Sequence, residues 1–220
     1  MIKLKILIII LFFIITFSIS KVYASVSDLP LLGKVIYLDA GHGGIDDGAK
    51  SNNIKEKELN LILVKELEST LVANGAIVYL TRDGDYDLSK TSINRKRSDL
   101  SNRAKLINES NANIYISIHL NSTTDARWRG LQIFYNSINK ENQLLANIIN
   151  KQISQNMSNV REVKKENSYY MYKKINKPGI LIEVGFISNP NDNYLLRDPN
   201  YQEKLVNNIV LGIIEYFKKK

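Results

Sequence analysis

The chain alternates between two patterns of apolar and polar positions. Short apolar runs that end in glycine or polar residues are typical of buried strands, whereas apolar residues spaced three or four apart are typical of helices. The first pattern predicts strands at 34–39, 76–81, 114–120, 131–135 and 180–184. The second predicts helices at 57–74, 99–110 and 141–157, and a last helix that Asp198 caps and that has Pro199 in its first turn.

Two of these helices have a clear apolar stripe. The stripe of the first helix consists of Leu59, Ile62, Leu63, Leu67 and Leu71, and Gly75 is expected to end it. The stripe of the last helix consists of Val206, Ile209, Val210, Ile213, Ile214 and Phe217. Each helix should therefore bury one face against a sheet or a neighbouring helix.

The order of the predicted elements indicates an α/β fold. Strands that alternate with helices form a mainly parallel sheet with helices on both faces, which gives a single three-layer domain. In sheets of this kind, active sites lie beyond the carboxyl ends of the strands. Chemically active side chains are therefore expected just after strands.

The first 24 residues read as a secretory signal. Lys3 and Lys5 precede an apolar run from Ile6 to Ile19, and Val22-Tyr23-Ala24 is a suitable cleavage site. The run is shorter than a membrane-spanning helix needs, so cleavage after Ala24 is favoured over retention as an uncleaved anchor. Residues 25–33 are then a linker and residues 34–220 the folded domain, which is expected outside the cytoplasm.

Composition removes several classes of chemistry. The 220 residues include no cysteine, which excludes disulfides, thiolate zinc sites, cysteine nucleophiles and a lipid-modified amino terminus. Without the signal segment, which contains three lysines and no acids, the net charge falls from +8 to +5; this balance suits anionic wall polymers or lipid head groups, and equally a solvated surface. The basic runs 95–97 and 218–220 contain no aromatic residues, so nucleic-acid binding is not expected.

The only two histidines of the chain fall at the ends of predicted strands. His42 lies in Asp39-Ala-Gly-His-Gly-Gly44, and His119 lies in Ser117-Ile-His-Leu-Asn121. One histidine by itself is more often structural, but two at the same edge of a sheet indicate a metal site. Two imidazoles need at least one further ligand to hold zinc.

Carboxylates near the predicted strand ends are candidates for the remaining roles. Glu56 and Glu58, at the start of the first helix, are both candidates for the third ligand, and the residues themselves barely separate them. Glu183 ends an apolar strand, where burial would raise its pKa towards the range that a general acid or base needs. Its alternative role is a salt bridge at the strand end.

Motifs of other enzyme classes are missing from the sequence. It contains no Gly-x-Ser-x-Gly elbow, no His-Glu-x-x-His helix and no nucleotide-binding glycine loop. Any metal ligands must therefore be dispersed along the chain.

Four segments together resemble the zinc-dependent N-acetylmuramoyl-L-alanine amidases of the type 3 family. They are Asp39-Ala-Gly-His-Gly-Gly44, Glu56-Lys-Glu-Leu-Asn-Leu61, Ser117-Ile-His-Leu-Asn121 and Glu183-Val-Gly-Phe-Ile-Ser-Asn189. Their order and spacing agree with the family over about residues 34–217. The resemblance implies a twisted six-stranded sheet and an amidase catalytic domain at 34–220.

The resemblance also implies a site. It assigns one catalytic zinc to His42, Glu56 and His119, which selects Glu56 over Glu58, and it makes Glu183 the acid and base. The implied substrate is the amide between N-acetylmuramic acid and L-alanine in peptidoglycan. Asn121 is a candidate for binding substrate or oxyanion, with a turn role as the alternative.

Three further expectations concern the surroundings of this site. Asp39 is a candidate to orient His42, with capping of the loop as the alternative. The glycines around His42 would keep side chains away and admit a polymer, and Trp128 is a candidate for stacking on a sugar. The segment 169–177, rich in tyrosine and lysine, departs from the family and is expected to alter the rim of the groove.

The sequence predicts no wall-binding domain, and such a bare exported domain most resembles the germination-specific amidases of spore formers. Spore-cortex maturation, with muramic-lactam formation, is then the expected role, in the cell wall or the spore intermembrane space. A partner protein outside the cytoplasm is expected to position or activate the enzyme. The alternatives are a vegetative autolysin, a zinc exopeptidase and a non-catalytic wall-binding or sheath protein.

Overall fold

The computed structural model describes residues 9–16, 29–51 and 53–220. Its strands, in chain order, are β1 (Val35–Ala40), β2 (Lys50–Ser51), β3 (Ile54–Lys55), β4 (Ile77–Leu80), β5 (Ile114–Asn121), β6 (Gln132–Tyr135), β7 (Lys164–Lys165) and β8 (Gly179–Phe186). Six of them form one sheet in the order β4-β1-β5-β8-β6-β7, and β2 and β3 form a small hairpin. The expected α/β fold with a six-stranded sheet is confirmed.

The sheet is mainly parallel. Strands β4, β1, β5 and β8 run in one direction, and β6 runs antiparallel to β8 with β7 parallel beside it. The carboxyl ends of β1, β5 and β8 therefore meet at one edge. The outermost strand β7 consists of two lysines and has no apolar pattern, so the local pattern did not predict it.

The helices are α1 (Glu56–Ala73), α2 (Arg95–Glu109), α3 (Glu141–Asn156), α4 (Pro190–Leu195) and α5 (Pro199–Lys218), and Tyr172–Lys174 form a 3₁₀ turn. Helix α2 begins four residues before the predicted start. The six-residue helix α4 was not predicted, because it is too short for an apolar period. Its Asn189 cap accepts hydrogen bonds from two backbone N–H groups of the first turn.

Two apolar clusters lie on opposite faces of the sheet. In β1, Ile36 and Leu38 belong to the larger cluster, which also contains the apolar stripes of α1, α3 and α5. Val35 and Tyr37 belong to the smaller one, which contains residues of α2 and of the segment that ends in the 3₁₀ turn. Successive side chains of a strand point to opposite faces, so burial of both sets makes the three layers.

The predicted stripes were correct except at one position. The leucines of α1 are buried, whereas Ile62 is 49% exposed. The leucines recur every four residues and turn progressively away from Ile62 around the helix. The predicted Asp198 cap is confirmed by its acceptance of the Asn200 N–H at 2.8 Å.

Little of the predicted signal segment is described. Residues 9–16 are helical, and the predicted cleavage position after Ala24 and residues 25–28 of the linker lie outside the described residues. Among the helices that the structure describes, none is both long enough and apolar enough to cross a membrane.

Candidate metal centre and active site

The two histidines meet at the carboxyl edge of the sheet. His42 lies two residues beyond β1, and His119 is the third residue from the end of β5. Their rings are edge-to-face with centroids 5.1 Å apart. Glu183 of β8 lies directly opposite His119 in the strand register. The parallel sheet therefore brings together three residues that are far apart in the sequence.

Glu56 lies between the two imidazoles. Its Oε1 is 3.1 Å from Nε2 of His42 and 3.1 Å from Nδ1 of His119. Backbone N–H groups hold the same carboxylate, since Ala49 donates to Oε2 at 2.8 Å and Leu120 donates to Oε1 at 3.0 Å. The rival Glu58 is exposed and lines a separate hollow with Arg197 and Gln202. The structure therefore brings Glu56, and not Glu58, to the histidines.

The charges of this cluster are strongly coupled. Burial alone would raise the pKa of Glu56, but hydrogen bonds with His119 and His42 and their positive charge hold it well below its usual range. Burial alone would lower the pKa of His42, but hydrogen bonds with Asp46 and Glu56 raise it to about 9. Without a cation, a proton therefore stays at His42 at neutral pH and compensates the buried carboxylate.

Asp46 orients His42. Its Oδ2 lies 3.0 Å from Nδ1 of His42, which leaves Nε2 directed at Glu56. Asp39, the residue expected in this role, does not contact the imidazole; Asp46, which follows His42 by four residues in the same loop, was not predicted. A carboxylate that holds the far nitrogen of a histidine is a common support for a metal ligand.

Asp39 instead belongs to a buried polar network beneath the site. It accepts hydrogen bonds from Thr81 at 2.7 Å, from Ser117 at 2.5 Å and from Arg103 at 2.9 Å. Arg103 also donates to the backbone oxygens of Ala40 and His42 at 2.7 and 2.6 Å. Asp39 therefore fixes the loop that carries His42 through Arg103, not through the imidazole.

The glycines of this loop serve close packing. A β-carbon on Gly41 would lie 2.3 Å from Cε1 of His119, and one on Gly43 would lie 2.4 Å from the backbone oxygen of Tyr86. Protein atoms thus fill the space that a side chain would need at both positions, and the backbone of Gly41 also lines the cleft. The two glycines allow the loop to contact the second histidine and the segment after β4.

Glu183 is buried in a different electrostatic environment from Glu56. Its Oε2 has no hydrogen-bond partner within the described part of the protein. Burial, reinforced by the charge of Glu56, raises its pKa to about 7, against the opposing effect of the two histidines. A buried carboxyl group with a free oxygen and a near-neutral pKa can accept and return a proton.

A cleft of about 240 Å³ opens over the site. Its walls consist of both histidines, Glu183, side chains of α2 and the tyrosine-rich segment 169–172. The complete set of residues that line the cleft is Asp39, Gly41, His42, Asp46, Lys96, Asp99, Leu100, Arg103, His119, Tyr169, Tyr170, Met171, Tyr172, Leu181 and Glu183. The unusual tyrosine-rich segment therefore forms part of the rim of the cleft, as predicted from the sequence.

The two remaining candidates do not line this cleft. Asn121 is not among the cleft residues, and its Oδ1 accepts the N–H of Ser122 at 2.8 Å, as a turn residue would. Trp128 is 49% exposed on the loop that joins β5 to β6. The cleft itself thus brings together His42, His119 and Glu183, with Glu56 behind the histidines.

The donor set fits a small divalent cation. Ligand atoms of His42, Glu56 and His119 all lie within 4.8 Å of one another. Two imidazole nitrogens and one carboxylate oxygen are ligands typical of catalytic zinc, which keeps a further position open. The free oxygen of Glu183 lies at the same cleft and outside this set.

The family profile described as N-acetylmuramoyl-L-alanine amidase matches residues 36–215 of the chain. The germination-specific N-acetylmuramoyl-L-alanine amidase of Bacillus subtilis (strain 168) is 42% identical over 229 aligned residues, which cover 99% of this chain and 97% of that protein. This range contains all four motifs and the cleft residues.

Two solved structures are also similar. One is the CwlD amidase from Clostridioides difficile in complex with the GerS lipoprotein, with a TM-score of 0.81 and 38% identity; the match covers 86% of this chain and 100% of that one. The other is the N-acetylmuramoyl-L-alanine amidase AmiC2 of Nostoc punctiforme, with a TM-score of 0.74 and 28% identity; it covers 84% and 97% of the two chains. Sequence and fold therefore agree.

Proposed function

The chain belongs to the N-acetylmuramoyl-L-alanine amidase family, and on that premise we propose that it is a zinc hydrolase of the amide bond between N-acetylmuramic acid and L-alanine in peptidoglycan. The observation that carries the proposal is the convergence of His42 Nε2, His119 Nδ1 and Glu56 Oε1 beside the free oxygen of Glu183. Three ligands and a separate carboxyl group are the parts that metal-assisted amide hydrolysis needs.

His42, Glu56 and His119 are proposed to hold the cation. Asp46 keeps Nε2 of His42 directed inward, and the backbone N–H groups of Ala49 and Leu120 keep the carboxylate of Glu56 in place. Zinc at this position would polarise the substrate carbonyl and make water more acidic. Its positive charge would replace the proton that His42 otherwise carries, because a ligating imidazole nitrogen must be free of its proton.

Glu183 is proposed to transfer the proton. Its carboxylate takes a proton from the attacking water and returns it to the nitrogen of L-alanine as the amide bond breaks. Burial keeps the pKa of this group near 7, so that both protonation states are accessible. In this proposal the lactyl carbonyl enters the cleft that His42, His119, Glu183 and segment 169–172 line.

The biological setting is proposed to be the spore cortex. The similarity to the germination-specific enzyme extends over almost the full length of both chains. Removal of stem peptides from muramic acid would expose lactyl carboxylates, from which muramic lactam is formed. This role requires export, to the cell wall or the space between the two spore membranes, in agreement with the predicted signal segment.

A partner protein outside the cytoplasm is also proposed. One similar amidase was solved as a complex with a lipoprotein. A partner that binds the zinc-loaded form more tightly than the metal-free form would increase zinc affinity by the same factor. Zinc titrations of the purified enzyme, with and without a lipoprotein that co-purifies from sporulating cells, would measure this coupling. Equal zinc affinity in both titrations would contradict the proposal.

Digestion of purified sacculi tests the activity. The enzyme should release stem peptides with a new N-terminal L-alanine and leave glycan strands without peptides, as detected by N-terminal labelling and mass spectrometry. A chelator should stop the reaction and zinc should restore it. Release of free D-alanine, or of short sugars with their peptides still attached, would show a different bond specificity and contradict the proposal.

A further inference from the structure

A second polar and aromatic feature lies beside the cleft, on the loop between β5 and β6. This loop begins after Asn121 and ends before Gln132, which lies opposite Glu183 in the strand register. Both ends of the loop therefore start from the edge of the sheet that carries the candidate active site. A polymer that occupies the cleft would extend over this region.

The loop is held rigidly. Asn189 donates a hydrogen bond to the backbone oxygen of Ala126 at 2.6 Å, and Asp192 accepts the N–H of Gly130 at 2.7 Å. Ser188 accepts the N–H of Thr123 at 3.1 Å. These contacts attach the loop to the chain that follows β8, so its exposed side chains are presented on a fixed support.

Trp128 and Arg161 form the centre of this surface. The guanidinium group of Arg161 lies 4.7 Å from the ring centroid of Trp128 and 5.6 Å from that of Phe186. The backbone N–H of Arg161 donates a hydrogen bond to the backbone oxygen of Leu131 at 2.8 Å. Trp128 is 49% exposed, so a large part of its ring system remains available for contact.

The other two arginines of this surface already have acidic partners. Arg127 pairs with Asp125 at 2.9 Å, and Arg129 lies 3.6 Å from Asp192. Within the part of the chain that the structure describes, Arg161 has aromatic partners and no ion pair. The side chains around Arg161 border an open hollow of about 420 Å³. The hollow thus offers an aromatic surface and an uncompensated positive charge.

We infer that Trp128 and Arg161 form an outer subsite for the glycan strand, which binds an acetamido-sugar ring and a carboxylate close to it. The inference rests on the proposed function, because it takes the polymer to be peptidoglycan. An aromatic ring can stack on the apolar face of a sugar, and a guanidinium group binds a carboxylate through paired hydrogen bonds. The carboxylate has two sources: the lactyl group that cleavage exposes, or an uncut stem peptide.

Binding energy at such a distance from the scissile bond would hold the polymer in register over the cleft. A short soluble muramoyl peptide occupies the cleft alone, whereas a strand also reaches the subsite. The ratio of the cleavage rate on strands to the rate on the short fragment therefore measures the subsite separately from the chemistry.

The first experiment compares these rates in Trp128→Ala and Arg161→Gln. Each substitution should lower the ratio by about tenfold, and Trp128→Tyr should restore most of it. Tyr194→Ala, at an exposed aromatic residue of α4, and Lys151→Gln, at an exposed cation of α3, serve as matched controls with an unchanged ratio. An unchanged ratio in both subsite variants would overturn the inference.

The second experiment measures binding without cleavage. Glu183→Gln protein is sedimented with peptide-free glycan strands, with the same strands after esterification of their carboxylates, and with intact sacculi. Binding to peptide-free strands that depends on Trp128 and Arg161 and is lost on esterification identifies the lactyl carboxylate. If binding depends on Trp128 and Arg161 only with intact sacculi, the stem peptide is identified as the source of the carboxylate. If binding to all three polymers is independent of Trp128 and Arg161, the subsite is refuted.

These two readouts separate the inference from the proposed function. If the wild-type enzyme cut neither strands nor fragment, the proposed activity would be wrong, and sedimentation would still report whether Trp128 and Arg161 bind glycan. If the enzyme cut both and the subsite variants behaved as wild type, only the subsite would be wrong.

Discussion

A β-carbon on Gly41 would lie 2.3 Å from Cε1 of His119, so the loop after β1 contacts the imidazole of β5 directly. This contact links the two histidine-bearing segments in addition to their backbone hydrogen bond. The backbone of Gly41 also donates to Ile118 at 3.0 Å and accepts from Arg82 at 2.9 Å. The position therefore cannot move away from the ring without breaking hydrogen bonds, and it leads to the first prediction.

Gly41→Ala should weaken zinc binding by at least about tenfold, because the new methyl group displaces the His119 ring from its ligand position. Zinc affinity is measured with a competing chelator dye. Gly84→Ala is the matched control, since its β-carbon would meet only a tyrosine ring at 3.3 Å. Wild-type zinc affinity in Gly41→Ala would show that the contact does not position His119.

Glu183→Gln should retain zinc and lose roughly 10²–10⁴-fold in kcat, because the amide has the size of the carboxylate but cannot transfer the proton. Release of stem peptides and zinc content are both measured on purified protein. Glu58→Gln, at the exposed glutamate of α1, should behave as wild type. Near wild-type turnover of Glu183→Gln would remove Glu183 from the proposed mechanism.

The stability of the metal-free protein should depend on pH through Glu183. Its pKa is raised from 4.5 to about 7 in the folded state, so the folded protein holds this proton more tightly than the unfolded chain. Folding is thus favoured at low pH, and this contribution is lost as the pH rises from 4.5 through 7. Glu183→Gln removes the effect.

Urea unfolding in the presence of a chelator measures this difference. The unfolding free energy of Glu183→Gln minus that of wild type should increase by on the order of 2 kcal/mol when the pH is raised from 5 to 8. Because wild type and variant share all other titrating groups, the contributions of those groups to the pH dependence cancel in this difference. A difference that stays constant over this pH range would mean that the pKa of Glu183 is not raised.

Zinc uptake should also depend on pH, through His42. Its pKa is raised to about 9, so zinc must displace a proton at neutral pH, and apparent affinity should rise about tenfold per pH unit below 9. Asp46→Asn removes a carboxylate partner of Nδ1. It should lower the pKa of His42, so that zinc affinity stops rising at a lower pH. Dye competition between pH 6.5 and 8.5 compares the two slopes, and parallel curves would contradict the role given to Asp46.

Arg103→Met should destabilise the fold by about 3–5 kcal/mol, because it leaves the buried Asp39 without its cation. Burial alone would raise the pKa of Asp39, but the charges of Arg103 and His119 and the hydrogen bonds from Ser117 and Thr81 together lower it to about 2. Lys105→Met, on the exposed face of the same helix, should change stability by less than about 0.5 kcal/mol. Thermal and urea unfolding measure both variants; equal stability would show that Arg103 is dispensable to the network.

Much of the fold could be predicted from local pattern, because burial imposes a period on each element. The apolar runs of β1, β5 and β8 and the leucines of α1 were read correctly, as was the Asp198 cap of α5. Strand β7 and helix α4 were not, because two lysines and six mostly polar residues have no apolar period of their own. Pairing with β6 selects the conformation of β7, and the local Asn189 cap contributes to that of α4.

The sequence by itself determined the chemistry available to this protein. Without cysteine and with two histidines, any metal had to be held by His42, His119 and carboxylates, and the alternation of strands and helices placed both histidines at one edge of a sheet. That inference needs only residue identity and strand position, because the carboxyl ends of parallel strands meet.

Only the tertiary structure decided which partners these residues have. It showed that Glu56, which the family resemblance already favoured over Glu58, contacts the histidines; it also gave His42 its support from Asp46 and placed Asp39 against Arg103. Glu56 and His119 are 63 positions apart, and Asp39 and Arg103 are 64 apart. Local pattern has no information about contacts over such separations, since the packing of the whole sheet fixes distances of about 3 Å between side chains.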